Sequence, residues 1–271
     1  MIVQGLAVRA LFAAGITMIF AISADARKHE TGFLDRTLTL MGTQYKFQVF
    51  VPEDWTPQKK WPVILFLHGA GERGTDGLKQ TEAGLPQDIR LHRNLFPAVV
   101  VIPQCPPNHW WSVEDMQEVA LAVLAAASRE FHGDANRTYL TGLSMGGYGT
   151  WAIAAKNPGK FAAIVPICGG ITAPRSLQAM YPEVAKNIYQ DVPESYAEVA
   201  QKIGKTPVWM FHGAKDDVVT VELSRKMYAA LQKAGGDVRY TEYPEAGHDS
   251  WTKAYAEPEF PAWLLSKTLN K

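Results

Sequence analysis

Short apolar runs that alternate with helical segments constrain the fold of this chain more than any other feature. The runs occupy residues 63–69, 98–104, 138–143, 162–170, 208–213 and 238–244. Continuous apolar runs of this length are typical of strands that are buried on both faces of a parallel sheet. Two earlier segments, residues 36–40 and 44–52, alternate in polarity around a Met41-Gly42 turn, which predicts an antiparallel pair at the start.

Helical periodicity lies between these runs. Residues 112–131 begin with Ser112 as a predicted cap and acidic residues in the first turn, and residues 220–236 end at Gly235-Gly236. The alternation predicts an α/β fold with a mostly parallel eight-stranded sheet, an antiparallel start and helices on both faces. In such sheets the functional site lies beyond the carboxyl ends of the strands, so the residues that follow each strand are the first candidates.

One serine among glycines follows the predicted strand at 138–143. The stretch reads TYLTGLSMGGYGTW, and it contains the motif G-x-S-x-G from Gly142 to Gly146. This motif marks a sharp strand-to-helix turn that exposes a nucleophilic serine. A side chain two residues before or after Ser144 would clash in so tight a turn, and we expect a strained backbone at the serine itself.

A serine nucleophile needs a base, and the base needs an orienting acid. His248 lies in the loop after the last predicted strand, where the base is expected. His212 lies inside a predicted strand, so a buried structural role is the better interpretation. The preceding loop offers Asp216 and Asp217; we favour Asp216 as the acid, with Asp217 capping the turn or facing water.

Backbone N–H groups are expected to bind the oxyanion of a tetrahedral intermediate. Met145, which follows the nucleophile, and Ala70, in the loop after residues 63–69, are the candidates. That loop, residues 69–74, also matches the dinucleotide pattern G-x-G-x-x-G. Because two strands precede it and no helix opens after it, we expect an oxyanion loop and no nucleotide cofactor. The two cysteines and the histidine spacing do not match a zinc site, so no metal is expected either.

These motifs in order resemble the α/β-hydrolase superfamily. Within it they are similar to secreted esterases related to dienelactone hydrolases, phospholipase/carboxylesterases and feruloyl or acetylxylan esterases. The matching stretches, from Val63 to Lys267, are LHGAGERG, PQCP followed by two tryptophans, GLSMGGYGTW, PICGG, FHGAKDDVV and GHDSW. The family's acid is usually followed by proline, and here an aspartate stands in that place.

The resemblance implies hydrolysis of a carboxylic ester through an acyl-enzyme, without a metal or organic cofactor. Ser144 would attack, His248 would transfer the proton, Asp216 would hold the imidazole, and the amides of Ala70 and Met145 would bind the oxyanion. The expected substrates are small-molecule or saccharide-linked esters with short-chain or aromatic acyl groups. No oligomeric state is implied.

The substrate side is predicted in the loop after residues 98–104. Gln104, Trp110 and Trp111 are the candidates, because an indole could stack on an aromatic acyl group or a sugar ring. The alternative is that the tryptophans pack the loop onto the body. Residues 171–206 form a long connection with helical patterns at 181–189 and 195–203, which predicts a small cap or wall.

Two other functions compete with an esterase. A serine oligopeptidase or amidase shares the catalytic fold, but such enzymes usually carry a large gating domain, for which we expect no room here. A binding protein on a hydrolase fold would be marked by the loss of a triad residue, and all three candidates are present.

The N-terminus resembles a signal peptide. Arg9 precedes an uncharged run from Ala10 to Ile22, and Ala24-Asp25-Ala26 fits a signal-peptidase site. The apolar run is shorter than the ~20 residues that span a bilayer, although an uncleaved anchor is the alternative. We therefore expect residues 1–26 to be removed, and residues 27–271 to form one catalytic domain that is exported to the periplasm or beyond, without stable membrane insertion.

The net charge of the chain argues against two classes of binding partner. Lys plus Arg and Asp plus Glu number 27 each, so the net charge is zero, which argues against nucleic-acid or anionic-membrane binding.

Cys105 and Cys168 follow strands that two other strands would separate in this fold, so the two strand ends would lie roughly 14 Å apart. A disulfide tolerates only about 7 Å between Cα atoms, so two free thiols are expected.

Overall fold

The computed structural model describes residues 29–172, 179, 189 and 191–269. One eight-stranded sheet runs through this part of the chain, in the order β1-β2-β4-β3-β5-β6-β7-β8. Its strands are β1 (Gly32–Leu40), β2 (Thr43–Val51), β3 (Trp61–Leu67), β4 (Val99–Pro103), β5 (Gly133–Leu143), β6 (Ala163–Ile167), β7 (Val208–Gly213) and β8 (Val238–Tyr243). β2 pairs antiparallel with β1 and β4, and all other pairs are parallel.

Seven α-helices cover the two faces of this sheet in the described residues. They are α1 (Leu85–Leu91), α2 (Glu114–Glu130), α3 (Met145–Lys156), α4 (Pro193–Ile203), α5 (Glu222–Lys233), α6 (Trp251–Tyr255) and α7 (Phe260–Leu265). The apolar side chains of α2, α3, α4 and α5 pack into one buried cluster, and those of α1, α6 and α7 pack into a second. The predicted α/β-hydrolase architecture, with its antiparallel start and two helical layers, is confirmed.

The structure corrects the predicted elements at three points. Helix α2 has Val113, which lacks a hydroxyl, at its N-cap position, so the predicted cap at Ser112 is wrong. Strand β5 begins at Gly133, five positions before the apolar run. Its first residues are polar and partly exposed, so an apolar pattern could not reveal them. Helix α1 was not predicted; it is a short element with a proline in its first turn.

The connection between β6 and β7 is described only in part. Helix α4 confirms the second helical pattern predicted there, at 195–203. The first pattern, at 181–189, lies outside the described residues except for Tyr189, and the predicted signal peptide lies outside them entirely. Within the described ranges, none of the helices combines the length and the apolar character that crossing a membrane requires.

Both cysteines are free thiols, as expected. Strands β3 and β5 stand between β4, which precedes Cys105, and β6, which precedes Cys168. Each side chain has no exposed surface, and burial raises the pKa of both thiols well above the usual range.

We expect Cys105 and Cys168 to be unreactive in the folded protein, because the thiolate is the reactive form and both groups are buried. Titration with a thiol reagent should detect two groups after denaturation without a reductant and nearly none before it. Two groups missing from the denatured, unreduced protein would show a disulfide and contradict the expectation.

Candidate active site

Ser144 lies at the sharp turn between β5 and α3. Its backbone has φ 50° and ψ −115°, in the left-handed half of conformational space that L-residues rarely occupy, as the motif predicts. A Cβ built at Gly146 would lie 1.9 Å from the carbonyl oxygen of Leu67, and one at Gly142 would lie 2.4 Å from the carbonyl oxygen of Gly146. The close approach of strand and helix therefore requires glycine at both positions.

The structure brings Ser144, His248 and Asp216 into one hydrogen-bonded chain. The Nε2 atom of His248 lies 2.9 Å from Ser144 Oγ, and its Nδ1 atom lies 2.7 Å from Asp216 Oδ2. A carboxylate can only accept, so Nδ1 carries the proton and Nε2 is free to accept the serine O–H. This is the tautomer in which the imidazole can act as a base toward the serine.

The Asp216 side chain is fully buried and saturated with donors. Its Oδ1 accepts the backbone N–H groups of Val218 and Val219 at 2.9 and 2.8 Å, and its Oδ2 accepts from His248 and from His212, at 3.1 Å. Burial alone would raise the pKa of Asp216, but these hydrogen bonds outweigh burial and hold the pKa well below its usual range. Asp217 next to it is exposed.

The loop after β3 passes directly beside Ser144. A Cβ built at Gly69 would lie 3.8 Å from Ser144 Cβ. Ala70 opens a short 3₁₀ turn there, and Met145 is the first residue of α3, so its N–H belongs to the unpaired donors of a helix start. The amide of Met145 thus follows the serine directly, and the amide of Ala70 follows the residue that lies beside it.

His68 supports this loop through hydrogen bonds of its buried ring. The backbone N–H of Cys105 donates to His68 Nε2 at 3.0 Å, so the ring proton sits on Nδ1, which donates to the carbonyl oxygen of Gly69 at 2.6 Å. Complete burial, aided by the charge of Arg73, lowers the pKa of His68 to about 4. The neutral ring therefore links the loop after β3 to the residue that follows β4.

Gln104 has a different role from the predicted one. Its side chain is buried, its Oε1 accepts the N–H of Gly77 at 2.7 Å, and its Nε2 donates to the carbonyl oxygen of Glu72 and to Asp76 Oδ1. These contacts occupy the amide in holding the loop after β3. The prediction that Gln104 contacts substrate is therefore corrected: it supports a loop.

Trp110 and Trp111 also lie inside the protein, with 3% and 0% of their surfaces exposed. Trp111 donates its indole N–H to the carbonyl oxygen of His68 at 3.1 Å, and its Cβ would contact a Cβ at Gly149 on α3. Trp110 packs edge-to-face on Tyr148, with 6.1 Å between ring centroids. Neither indole has an open face for stacking on a substrate group, and the contacts favour the alternative in which these tryptophans pack the loop.

Among the described residues, one trio of potential ligand atoms is close enough to hold a metal ion: those of Cys168, Asp216 and His248, within 4.8 Å of one another. The carboxylate and the imidazole are already hydrogen-bonded to each other. Burial also raises the pKa of the Cys168 thiol, which opposes the thiolate that a metal would need. The donor set therefore fits a proton-transfer chain better than a metal site.

Sequence reasoning missed two residues of this site. His212 was assigned to the core, and it is buried, but its Nε2 atom also contacts the Asp216 carboxylate. Ser224 on α5 lies 2.7 Å from the other ring nitrogen of His212. Only the spacing of four residues between His212 and Asp216 hinted at the first contact, and nothing in the sequence hinted at the second.

Known proteins share this architecture. A thermostable esterase of known structure is 34% identical; the match covers 87% of this chain and 63% of that one, with a TM-score of 0.73. A secreted protein of Arthroderma benhamiae is 28% identical over 202 residues, which are 70% of this chain and 21% of that protein. The acylaminoacyl peptidase of Pyrococcus horikoshii is 18% identical at a TM-score of 0.65, over 89% of this chain and 42% of the peptidase.

These matches cover most of this chain but less than two thirds of each of those proteins. Together with the sheet order, they confirm the resemblance to α/β-hydrolases of the esterase group. The model of the prolyl oligopeptidase family matches residues 108–267, which include Ser144, Asp216 and His248. More than half of the chain is matched, and the chain belongs to the prolyl oligopeptidase family.

Proposed function

We propose that the protein is a serine hydrolase that cleaves carboxylic esters through an acyl-enzyme. The observation that carries the proposal is the unbroken chain from Ser144 Oγ through the two nitrogens of His248 to Asp216, with contacts of 2.9 and 2.7 Å. A strained serine, a base in the required tautomer and an ionised acid together meet the requirements for an activated nucleophile.

In the first half of the reaction, Ser144 Oγ attacks the carbonyl carbon of the ester while His248 Nε2 takes the serine proton. The N–H groups of Ala70 and Met145 stabilise the negative carbonyl oxygen. The C–O bond to the alcohol then breaks, and His248 gives its proton to the leaving alcohol oxygen. In the second half, His248 takes a proton from water, which attacks the acyl carbon and releases the acid, and the proton returns to Ser144.

An ester rather than a peptide substrate is supported by the 34% identity to an esterase over 87% of this chain. The competing function is that of a serine peptidase, which the family name and the peptidase neighbour suggest. A paired assay tests the choice: we expect rapid hydrolysis of p-nitrophenyl acetate and little hydrolysis of an aminoacyl p-nitroanilide. Faster cleavage of the anilide would contradict the esterase proposal.

Short-chain and aromatic acyl groups are the proposed range of substrates. With Trp110 and Trp111 buried, support for aromatic esters comes from the family resemblance rather than from an open indole face. Rates on acetyl, butyryl, longer acyl and feruloyl esters would rank the acyl groups. A preference for long acyl chains would contradict the proposal.

We also propose that residues 1–26 direct export and that residues 27–271 form one catalytic domain. The small-x-small pattern at Ala24–Ala26 supports cleavage there, and one relative is named as a secreted protein. Mass spectrometry of the exported protein should show Arg27 as its first residue. A mature protein that keeps residues 1–26 would contradict cleavage.

Replacing Trp111 by alanine should weaken the fold rather than change substrate choice. The loss of a fully buried indole typically costs about 3–5 kcal/mol, and each kcal/mol lowers Tm by roughly 2–4 °C in a domain of this size. We expect kcat/KM to fall by similar factors on acetyl and feruloyl esters. Trp111→Phe, which keeps an aromatic ring but loses the N–H to His68, is the matched control.

Trp110→Ala should likewise lower Tm and affect the two esters alike, since its ring packs on Tyr148. Thermal denaturation and steady-state kinetics on both esters check the expectation. If either variant lost kcat/KM only on feruloyl esters and kept its Tm, that tryptophan would be a substrate-binding residue after all.

A further inference from the structure

His212 stands directly behind the proposed catalytic acid. It lies on β7 with no exposed surface, and its Nε2 atom is 3.1 Å from Asp216 Oδ2 and 2.8 Å from the carbonyl oxygen of Val219. A carboxylate and a carbonyl can only accept hydrogen bonds, so Nε2 carries a proton and donates to both. This one ring nitrogen therefore binds both Asp216 and Val219, the first and last residues of the segment 216–219.

The other ring nitrogen is held from a different element. His212 Nδ1 lies 2.7 Å from Ser224 Oγ, on the first turn of α5, and the serine is buried too. In the neutral imidazole Nδ1 is an acceptor, and the Ser224 hydroxyl is the group that can donate to it. Ser224 therefore stabilises the tautomer in which Nε2 bears the proton.

We propose that His212 and Ser224 are positioning residues for Asp216, so that the catalytic chain extends from Ser144 through His248 and Asp216 to His212 and Ser224. The inference rests on the proposed function, because it assigns a role relative to the acid of the triad. The N–H of His212 would hold Oδ2 where His248 needs it, while Val218 and Val219 hold Oδ1.

The electrostatic setting is consistent with this role. The pKa of Asp216 is well below its usual range because hydrogen bonds from His212, His248 and Val219 outweigh the effect of burial. The other titratable groups that act on this carboxylate and on His212 are Tyr148 on α3, Cys168 after β6 and Glu242 on β8. The hydrogen bonds to Asp216 Oδ2 come from His248 and His212, so we assign the support of Oδ2 behind His248 to His212.

Two substitutions of similar size separate positioning from packing. In His212→Gln, the side-chain amide can place an N–H near the former Nε2 and donate to Asp216. In His212→Asn, the shorter amide reaches only the former Nδ1, so the donor to Asp216 is lost. Both variants remove the ring and should lower Tm to a similar extent, so differences in rate report on the hydrogen bond.

We expect His212→Asn to lower kcat by about tenfold to hundredfold, the factor that the loss of one hydrogen bond to a charged group corresponds to. KM should change little, because His212 does not touch the substrate. His212→Gln should recover most of the rate. The acid limb of the kcat/KM profile should move to higher pH in His212→Asn, because a carboxylate with fewer donors stabilises the His248 imidazolium more strongly.

Ser224 offers a second pair that leaves the ring in place. Ser224→Ala removes the donor to Nδ1, so that the ring is held only through Nε2, whereas Ser224→Thr keeps a hydroxyl. We expect a lower kcat in Ser224→Ala and near wild-type rates in Ser224→Thr. Histidine ¹⁵N spectra should show the His212 proton on Nε2 in both proteins, and the Nδ1 resonance should shift in Ser224→Ala because the hydrogen bond from the serine hydroxyl is lost.

The outcomes are separable from those of the proposed function. If the wild type does not hydrolyse p-nitrophenyl acetate, the proposed function fails, and the ¹⁵N spectra still decide whether Nε2 of His212 carries the proton that Asp216 accepts. If the wild type is active but His212→Gln and His212→Asn lose equal activity with an unmoved acid limb, His212 serves packing alone and the inference is overturned. A His212 proton found on Nδ1 would overturn it as well.

Discussion

Replacing Ser144 by alanine is expected to lower ester hydrolysis by roughly four to six orders of magnitude, because nucleophile, base and acid act as a unit. The attacking oxygen is removed, and His248 Nε2 loses the hydroxyl that lies 2.9 Å away. The residual rate would come from the oxyanion amides and substrate binding alone. Steady-state kinetics on p-nitrophenyl acetate, with an assay sensitive enough to follow that residual rate, measures the effect.

The fold should survive this change. Alanine meets the same backbone strain at φ 50° that serine already bears, and the glycines that allow the close approach remain. Circular dichroism and Tm of the variant should match those of the wild type. A folded variant that keeps more than about a tenth of the wild-type activity would remove Ser144 from the role of nucleophile.

The sheet could be predicted from the sequence because its central strands β3, β4, β6 and β7 are fully buried. Six strands were located as apolar runs and the first two as segments of alternating polarity, with β7 at the predicted residues. The elements that were misjudged are those that depend on their neighbours. Strand β5 extends back through polar residues to Gly133, which pairs with Trp61 at the start of β3, and α1 is a short helix stabilised by its packing on the sheet.

The candidate nucleophile could be located because its turn requires a close approach of strand and helix that only glycine allows, and glycine is visible in a sequence. The roles of Gln104 and Trp111 could not be predicted, because the rule that sites lie beyond strand ends identifies an edge of the sheet. It does not say which side chains at that edge remain open. Both side chains follow β4 and turn inward, where loop 72–77 and the carbonyl oxygen of His68 bind them.

The contacts of His212 and Ser224 could not be predicted for a similar reason. A histidine inside an apolar strand is correctly predicted to be buried, but its partners come from a loop four residues later and from a helix that starts ten residues later. Contacts of this kind depend on how β7 and α5 are placed relative to each other. The amino-acid composition of the two segments does not predict that placement.

Replacing Asp216 by asparagine is expected to lower kcat/KM by about 10⁴, because the acid fixes the tautomer of the base. The amide oxygen will take the place of Oδ1, where two backbone N–H groups donate, and the NH₂ group will then face His248. A donor at that position forces the imidazole proton onto Nε2, which can no longer accept the serine proton. Kinetics on p-nitrophenyl acetate from pH 6 to 9 measures the loss.

Asp217→Asn is the matched control, since it makes the same chemical change one residue away. The Asp217 side chain is exposed, and substitutions at such surface positions typically change stability by no more than about 0.5 kcal/mol. We therefore expect the fold to be unchanged, and because the side chain that holds His248 is that of Asp216, we expect a rate close to that of the wild type. An inactive Asp217 variant beside an active Asp216 variant would move the catalytic acid by one residue, and with it the contacts of Val218, Val219 and His212 would lose their proposed role.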